Sequence, residues 1–188
     1  MKPIGPYTFE AFKEKVAAFH GYPAPGVIIG GYMVALAQEK IPKDVLFDAI
    51  VETPKCLPDA VQLLTLCSFG NGWMKVFPFG RYALSLYNKY TGEGVRVWID
   101  PDRLKAWPHI EMWLFKTQPK KEQDSDALFD EIARAGADIC GVAPVQVKED
   151  AMKRFSFGDI GRCRECGEPH PVRFGEVCKA CSGESPYL

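Results

Sequence analysis

Phe9, Phe12, Val16 and Phe19 recur at three- and four-residue spacing, which predicts one buried face of a helix. Thr8 is suited to cap its start, and Gly21, Pro23 and Pro25 oppose its continuation past His20. Gly26 to Lys40 reads as a second helix, apolar nearly all round in its first half, and a helix of that kind is buried. Val45–Glu52 is rich in β-branched residues and predicts a strand. The segment after Pro54 returns to helical spacing, with Pro58 placed for a first helical turn. Three strands follow, over Trp73–Phe77, Arg81–Tyr90 and Val95–Ile99, the last two joined by the turn "TGEG". Asp124–Gly136 has acidic residues at its start, Arg134 in its last turn and a closing glycine, the punctuation of a helix. "VAPVQVKED" supplies one more strand.

This order of elements predicts an α+β fold, an antiparallel sheet packed with helices, rather than a doubly wound α/β fold. At 188 residues the chain can bury one core and carry a small appendage. A change in composition near Ser156–Gly161 divides it into a core over residues 1–155 and a cysteine-rich tail over 156–188. The formal net charge of −1 gives no global case for nucleic acid or an anionic membrane as main partner. With no basic-then-apolar leader pattern and no run of spanning length, the expected location is the cytoplasm.

In a reducing compartment, seven cysteines are expected to be metal ligands, reactive thiols or buried apolar residues. Four of them, Cys163, Cys166, Cys178 and Cys181, form C-x2-C, eleven intervening residues, then C-x2-C. Two such chelating pairs wrap four thiolates around Zn²⁺ in a zinc-ribbon or treble-clef-like finger. A four-thiolate site leaves no position open to substrate, so the zinc is structural, and His170 in the loop is not needed as a ligand. The tail holds six Lys/Arg against five Asp/Glu from Lys153 onward, and four thiolates on one Zn²⁺ contribute a further −2. That makes it a poor reader of phosphates and favours a protein-contact or dimerisation role.

In the core, His20 and Cys56 are the candidate chemical pair. Imidazole and thiolate suit Zn²⁺ or a similar divalent metal, and a nearby Asp59 can supply an anion or orient the imidazole. Cys56 stands just before a helix, whose N-terminus is expected to lower its pKa. The plainer alternatives stay open: His20 as a structural imidazole and Cys67 as a small buried residue, with Cys140 in the core.

Read together, "FHGYPAPGVIIGGYMVALA", "VETPKCLPDAVQLLTLCSFGNG" and "PFGRYALSLYNKYTGEGVRVWI" resemble the FmdE family of formylmethanofuran dehydrogenase proteins. His20, Gly21, Pro25, Gly26 and Tyr32 match its first block, Cys56, Asp59 and Gln62 its second, and Cys67 and Gly70 its third. Tyr22 and Ala24 stand where many relatives have a histidine and a cysteine, and Leu66 replaces a glycine. The resemblance implies an α+β core, a homodimer and a metal-binding pocket built on His20 and Cys56, with Tyr22, Asp59, Gln62 and Cys67 around it. It also implies a role beside a tungsten or molybdenum redox enzyme whose redox chemistry lies in other polypeptides. The expected function is therefore that of a metal-binding accessory protein with a structural zinc finger and a second metal or active site in the core. Two alternatives of other classes stand beside it: a free-standing metal- or thiol-dependent enzyme acting on a small molecule, and a zinc-finger regulator binding nucleic acid.

Overall fold

The computed structural model describes residues 1–187 and divides into two compact units, Met1–Met152 and the chain from Lys153 onward. The first helix, α1 (Phe9–His20), begins where the Thr8 hydroxyl accepts the Ala11 N–H at 3.2 Å. It ends where Gly21 turns left-handed (φ 91°) and donates to the Ala17 carbonyl. Phe9, Phe12 and Val16 are buried, while Phe19, in the last turn of the stripe, stays exposed. Helix α2 (Pro25–Lys40) starts on a proline at its first position and is buried without interruption from Gly26 to Val34. It lies across the sheet and also touches α1 and the helix that follows β1.

The next elements are β1 (Phe47–Val51), α3 (Leu57–Leu64), β2 (Met74–Val76), β3 (Ala83–Asn88) and β4 (Glu93–Ile99). With β5 (Cys140–Gln146) they form a sheet in the order β2-β1-β3-β4-β5. Antiparallel pairing dominates, and the fold is α+β, but β1 and β2 are parallel. The helix α3 between them carries the chain back so that β2 runs in the direction of β1, as a helical crossover does. Ala83 to Tyr87 of β3 are all buried, so the alternation along this central strand separates two covered faces rather than a wet one from a dry one. The finger begins with the hairpin β6 (Ile160–Arg162) and β7 (Pro169–Pro171), which carries Cys163 and Cys166 between its strands. No helix among the described residues is long and apolar enough to cross a membrane.

Between β4 and β5 lie α4 (Pro101–Leu104), α5 (Pro108–Phe115) and α6 (Ser125–Ala135), and α7 (Glu149–Met152) closes the first unit. Helix α6 is capped by the Asp124 carboxylate, which accepts from the Asp126 and Ala127 N–H groups, and ends at Gly136. Its buried Glu131 is what fixes α5. One carboxylate oxygen accepts the N–H groups of His109 (2.9 Å) and Ile110 (3.2 Å), and the other lies 2.8 Å from His109 Nδ1. Two donors at the start of α5 are thus satisfied by a side chain from another helix, while its own N-cap residue, Trp107, offers no side-chain bond. Replacing Glu131 with Ala is expected to strand those donors and cost about 2–4 kcal/mol. Urea denaturation checks this, with a lowered midpoint at unchanged slope expected and a loss under about 0.5 kcal/mol counting against it.

Candidate functional site

The sulfurs of Cys163, Cys166, Cys178 and Cys181 all lie within 4.8 Å of one another, and none is in a disulfide. A tetrahedron with Zn–S bonds of about 2.3 Å has sulfur–sulfur edges of about 3.8 Å. Cys166 Sγ and Cys178 Sγ stand 3.9 Å apart, close to that edge. The Cys178 N–H points to Cys163 Sγ at 3.3 Å and the Cys181 N–H to Cys178 Sγ at 3.5 Å. Such amide bonds favour thiolate, and the Cys178 amide first among them draws the Cys163 thiol down to about 6. The four residues fit Zn²⁺ in a closed structural site, and His170 takes no part in the cluster.

In the core, the chain leaving β1 must reverse into α3, and it does so at Cys56. Cys56 has φ 62° and ψ −52°, and the Leu57 N–H bonds to the Lys55 carbonyl at 2.7 Å. That is a γ-turn of the strained, positive-φ form, and Cys56 is one of two non-glycine residues with positive φ among those described. The turn is clamped from the side. A Cβ built on Gly26 of α2 would sit 2.9 Å from Cys56 Sγ and 2.7 Å from the Tyr82 hydroxyl, so only glycine allows this approach. Tyr82 donates its hydroxyl to the Gly26 carbonyl at 2.5 Å.

Burial first, and the Asp59 charge second, push the Cys56 thiol above the ordinary cysteine range. This reverses the expectation of a lowered pKa. A helix start helps a thiolate only where the sulfur is not desolvated, and here the sulfur is half-buried against α2 and near a carboxylate. At neutral pH the group is a thiol.

Cys56 forms part of the wall of a cavity of about 830 Å³ between the turn at residues 53–56, the start of β3, the end of β4 and α5. Tyr82, Trp98 and Trp113 give it aromatic walls, with the Tyr82 and Trp113 rings edge-to-face at 6.1 Å. Arg81 and Arg96 also line it, and both pair with the buried Glu52. Arg96 donates from Nε (2.6 Å) and Nη2 (2.9 Å), and Arg81 Nε lies 2.7 Å from the same carboxylate. These bonds, the Arg96 bond first, hold the Glu52 carboxyl below its usual range.

His20 and Asp59 are brought together: Nδ1 and Oδ2 are 2.6 Å apart, with the Tyr22 ring 5.0 Å from the imidazole. Asp59 follows Cys56 in the first turn of α3, so it touches the imidazole on one side and biases the thiol on the other. His20 and Asp59 are not in the cavity wall. Gln62 instead accepts the Phe69 N–H at 3.4 Å and steadies the loop after α3. Cys67 is buried with its sulfur 3.5 Å from the Phe47 carbonyl, and burial raises its thiol to about 11. Neither is gathered with Cys56. Among the described residues, the finger cysteines are the one group of three or more His, Cys, Asp or Glu side chains whose ligand atoms lie within 4.8 Å of each other.

Tyr82, Trp98, Trp113 and the Glu52–Arg81–Arg96 cluster are absent from the residues the sequence singles out. One signal was available: Arg96 stands between Val95 and Val97 in a strand, so it must face the opposite side from its neighbours. Glu52 directly follows β1, four residues before Cys56 and within the same matched block. Trp113 carries no local signal.

An α+β core with a clamped cysteine in a cavity wall, followed by a four-thiolate finger, defines a metal-binding protein with a structural zinc module. The chain belongs to the family described as "FmdE, Molybdenum formylmethanofuran dehydrogenase operon", whose model matches residues 19–148, and residues 154–188 match the FmdE treble clef zinc finger. It is 48% identical to a tungsten formylmethanofuran dehydrogenase FmdE-like protein from Syntrophus aciditrophicus, with a TM-score of 0.92 and all of both chains covered. It is also similar to a "Probable S-adenosyl-L-methionine-binding protein" from Archaeoglobus fulgidus, at 27% identity over 88% of this chain. The chain spans half the length of that relative.

Strain at Cys56 makes a direct prediction. Cys56→Gly should be more stable than Cys56→Ala by about 1 kcal/mol, since glycine alone accepts this φ without cost. Denaturation of the two variants measures it, and equal stabilities would remove the strain argument. The pH profile of Cys56 alkylation by iodoacetamide, read by peptide mass spectrometry, should have its midpoint above that of a free cysteine. The raised pKa leaves the thiol protonated at neutral pH, so reaction rises only as pH climbs through that raised value.

Proposed function

We propose that this protein is a small-molecule-binding accessory of a tungsten or molybdenum redox enzyme, working as a homodimer. Its core would act as the receptor and its finger as a zinc-held contact module. The observation that carries the receptor role is the cavity of about 830 Å³ with Cys56 clamped in its wall. That volume lies within the range of small-molecule sites, and aromatic walls with a few placed polar groups are the chemistry such sites use. Two names lend support from outside the chain. The family description ties it to a molybdenum enzyme's operon, and a relative is named for binding S-adenosylmethionine.

In this reading Cys56 is a neutral thiol in the wall that meets the ligand, and the His20–Asp59 pair is a positioning element, tied through Asp59 to the first turn of α3. With Nδ1 held by Asp59, His20 keeps Nε2 for a proton or a ligand atom. In this reading the core works through the Cys56 thiol and the His20 imidazole. A free-standing thiol-dependent enzyme is the second reading, favoured by the strained turn at Cys56, since such strain clusters at active sites.

Two measurements test the proposal. Metal analysis should find one zinc per chain, falling nearly to zero in a Cys163→Ser/Cys166→Ser variant; a full equivalent retained there would point to metal on His20 and Cys56. Affinity purification from native extract should recover proteins containing tungsten or molybdenum, identified by mass spectrometry and metal content. Their absence, with the protein intact, would leave the free-standing enzyme as the better reading.

A further inference from the structure

The charge of the cavity wall is one-sided. Lys55, Arg81, Arg96 and Lys116 line it, and no Asp or Glu is among the lining residues. The neighbouring carboxylate of Glu52 lies buried and is shared by both arginines. Two guanidiniums bring about ten N–H donors, whereas one carboxylate offers about four acceptor sites. Glu52 can therefore neutralise one positive charge and hold both side chains in place, but it cannot use all their donors. The corner therefore keeps a net positive charge and spare donors, those of Arg81 largely exposed.

The walls add a shape. Arg96 lies over the Trp98 ring at 5.4 Å, and Tyr82 meets Trp113 edge-to-face, so the wall beside the guanidiniums is largely aromatic. Apolar lining exceeds what a free inorganic ion would need, and planar rings stack on such walls.

We infer that the cavity binds a planar aromatic or heteroaromatic molecule bearing a carboxylate or phosphate, with the anion on Arg81 and Arg96 and the ring among Tyr82, Trp98 and Trp113. Glu52 is then a positioning residue that presents the two guanidiniums. The inference rests on the small-molecule reading of the core and adds the charge and shape of the ligand.

Trp98 and Trp113 allow the test to be read by fluorescence on the full-length, zinc-loaded protein. The probes are adenosine monophosphate with adenosine, flavin mononucleotide with riboflavin, inorganic phosphate, and S-adenosylmethionine. At least one phosphorylated probe should bind about tenfold more tightly than its neutral partner, and phosphate alone should bind far more weakly than that probe. Arg81 is the variant of choice because it is largely exposed and leaves Glu52 its two bonds from Arg96. Arg81→Met should reduce the preference at least fivefold, and raised salt should weaken the phosphorylated probe more than the neutral one. Trp113→Leu should weaken both members of a pair. Neutral probes binding as tightly as phosphorylated ones, or a preference unchanged in Arg81→Met, would overturn the inference. So would the absence of binding by all of them at millimolar concentration. Binding of S-adenosylmethionine unaffected by Arg81→Met would keep the small-molecule site and overturn only its selectivity for anions.

Discussion

The core depends on how closely α2 approaches the corner between β1 and α3. At Gly26 a single methyl group would collide with Cys56 and Tyr82, and at Gly30 with Ala60, 2.7 Å away. These two glycines, one helical turn apart, let the backbone of α2 rest on the first turn of α3 and on the start of β3. The hydrogen bond from Tyr82 to the Gly26 carbonyl then ties strand to helix. With that clearance, Cys56 is pressed into a γ-turn it would not choose, and the neighbouring cavity gains a fixed edge. A side chain at either position would push the corner outward and release all three features together.

The two chemical ends of the cavity follow opposite electrostatic rules. Around Cys56, burial and a nearby carboxylate oppose ionisation, and the sulfur stays protonated. Around Glu52, burial is outweighed by two guanidiniums, and the carboxylate stays ionised. An isolated buried carboxylate would be costly; bonded to both arginines it becomes a strut. A neutral nucleophile-type group and a positively charged corner therefore share one apolar space.

The finger obeys a different logic from the core. It has two three-residue strands and short turns, and few of its side chains are buried. Sulfur positions and amide-to-sulfur bonds fit a tetrahedral ion, and binding that ion is what folds so small a unit. Ion pairs such as Arg164 with Glu176 and Lys179 with Glu184 use up several of its charges. The finger is thus no strongly basic surface, in keeping with its residue count.

Much of this was legible along the chain because the signals are local. Caps at Thr8, Asp124 and Gly136, the apolar run of α2, the hairpin before β4 and the spacing of four cysteines each lie within a few residues of what they specify. The family blocks likewise pointed to His20, Cys56 and Asp59, and the first and last of these do meet. Other features have no local signature. The parallel pairing of β1 and β2, the fixing of α5 by Glu131, and the meeting of Glu52, Arg81 and Arg96 each join residues from separate elements. The direction of the Cys56 pKa belongs with them: a helix start is visible in sequence, but desolvation by α2 is set by packing at a distance. Local pattern determined which elements form and where the zinc ligands lie. Three-dimensional packing decided which lone side chains share a cavity, because burial and charge pairing are properties of neighbours in space rather than along the chain.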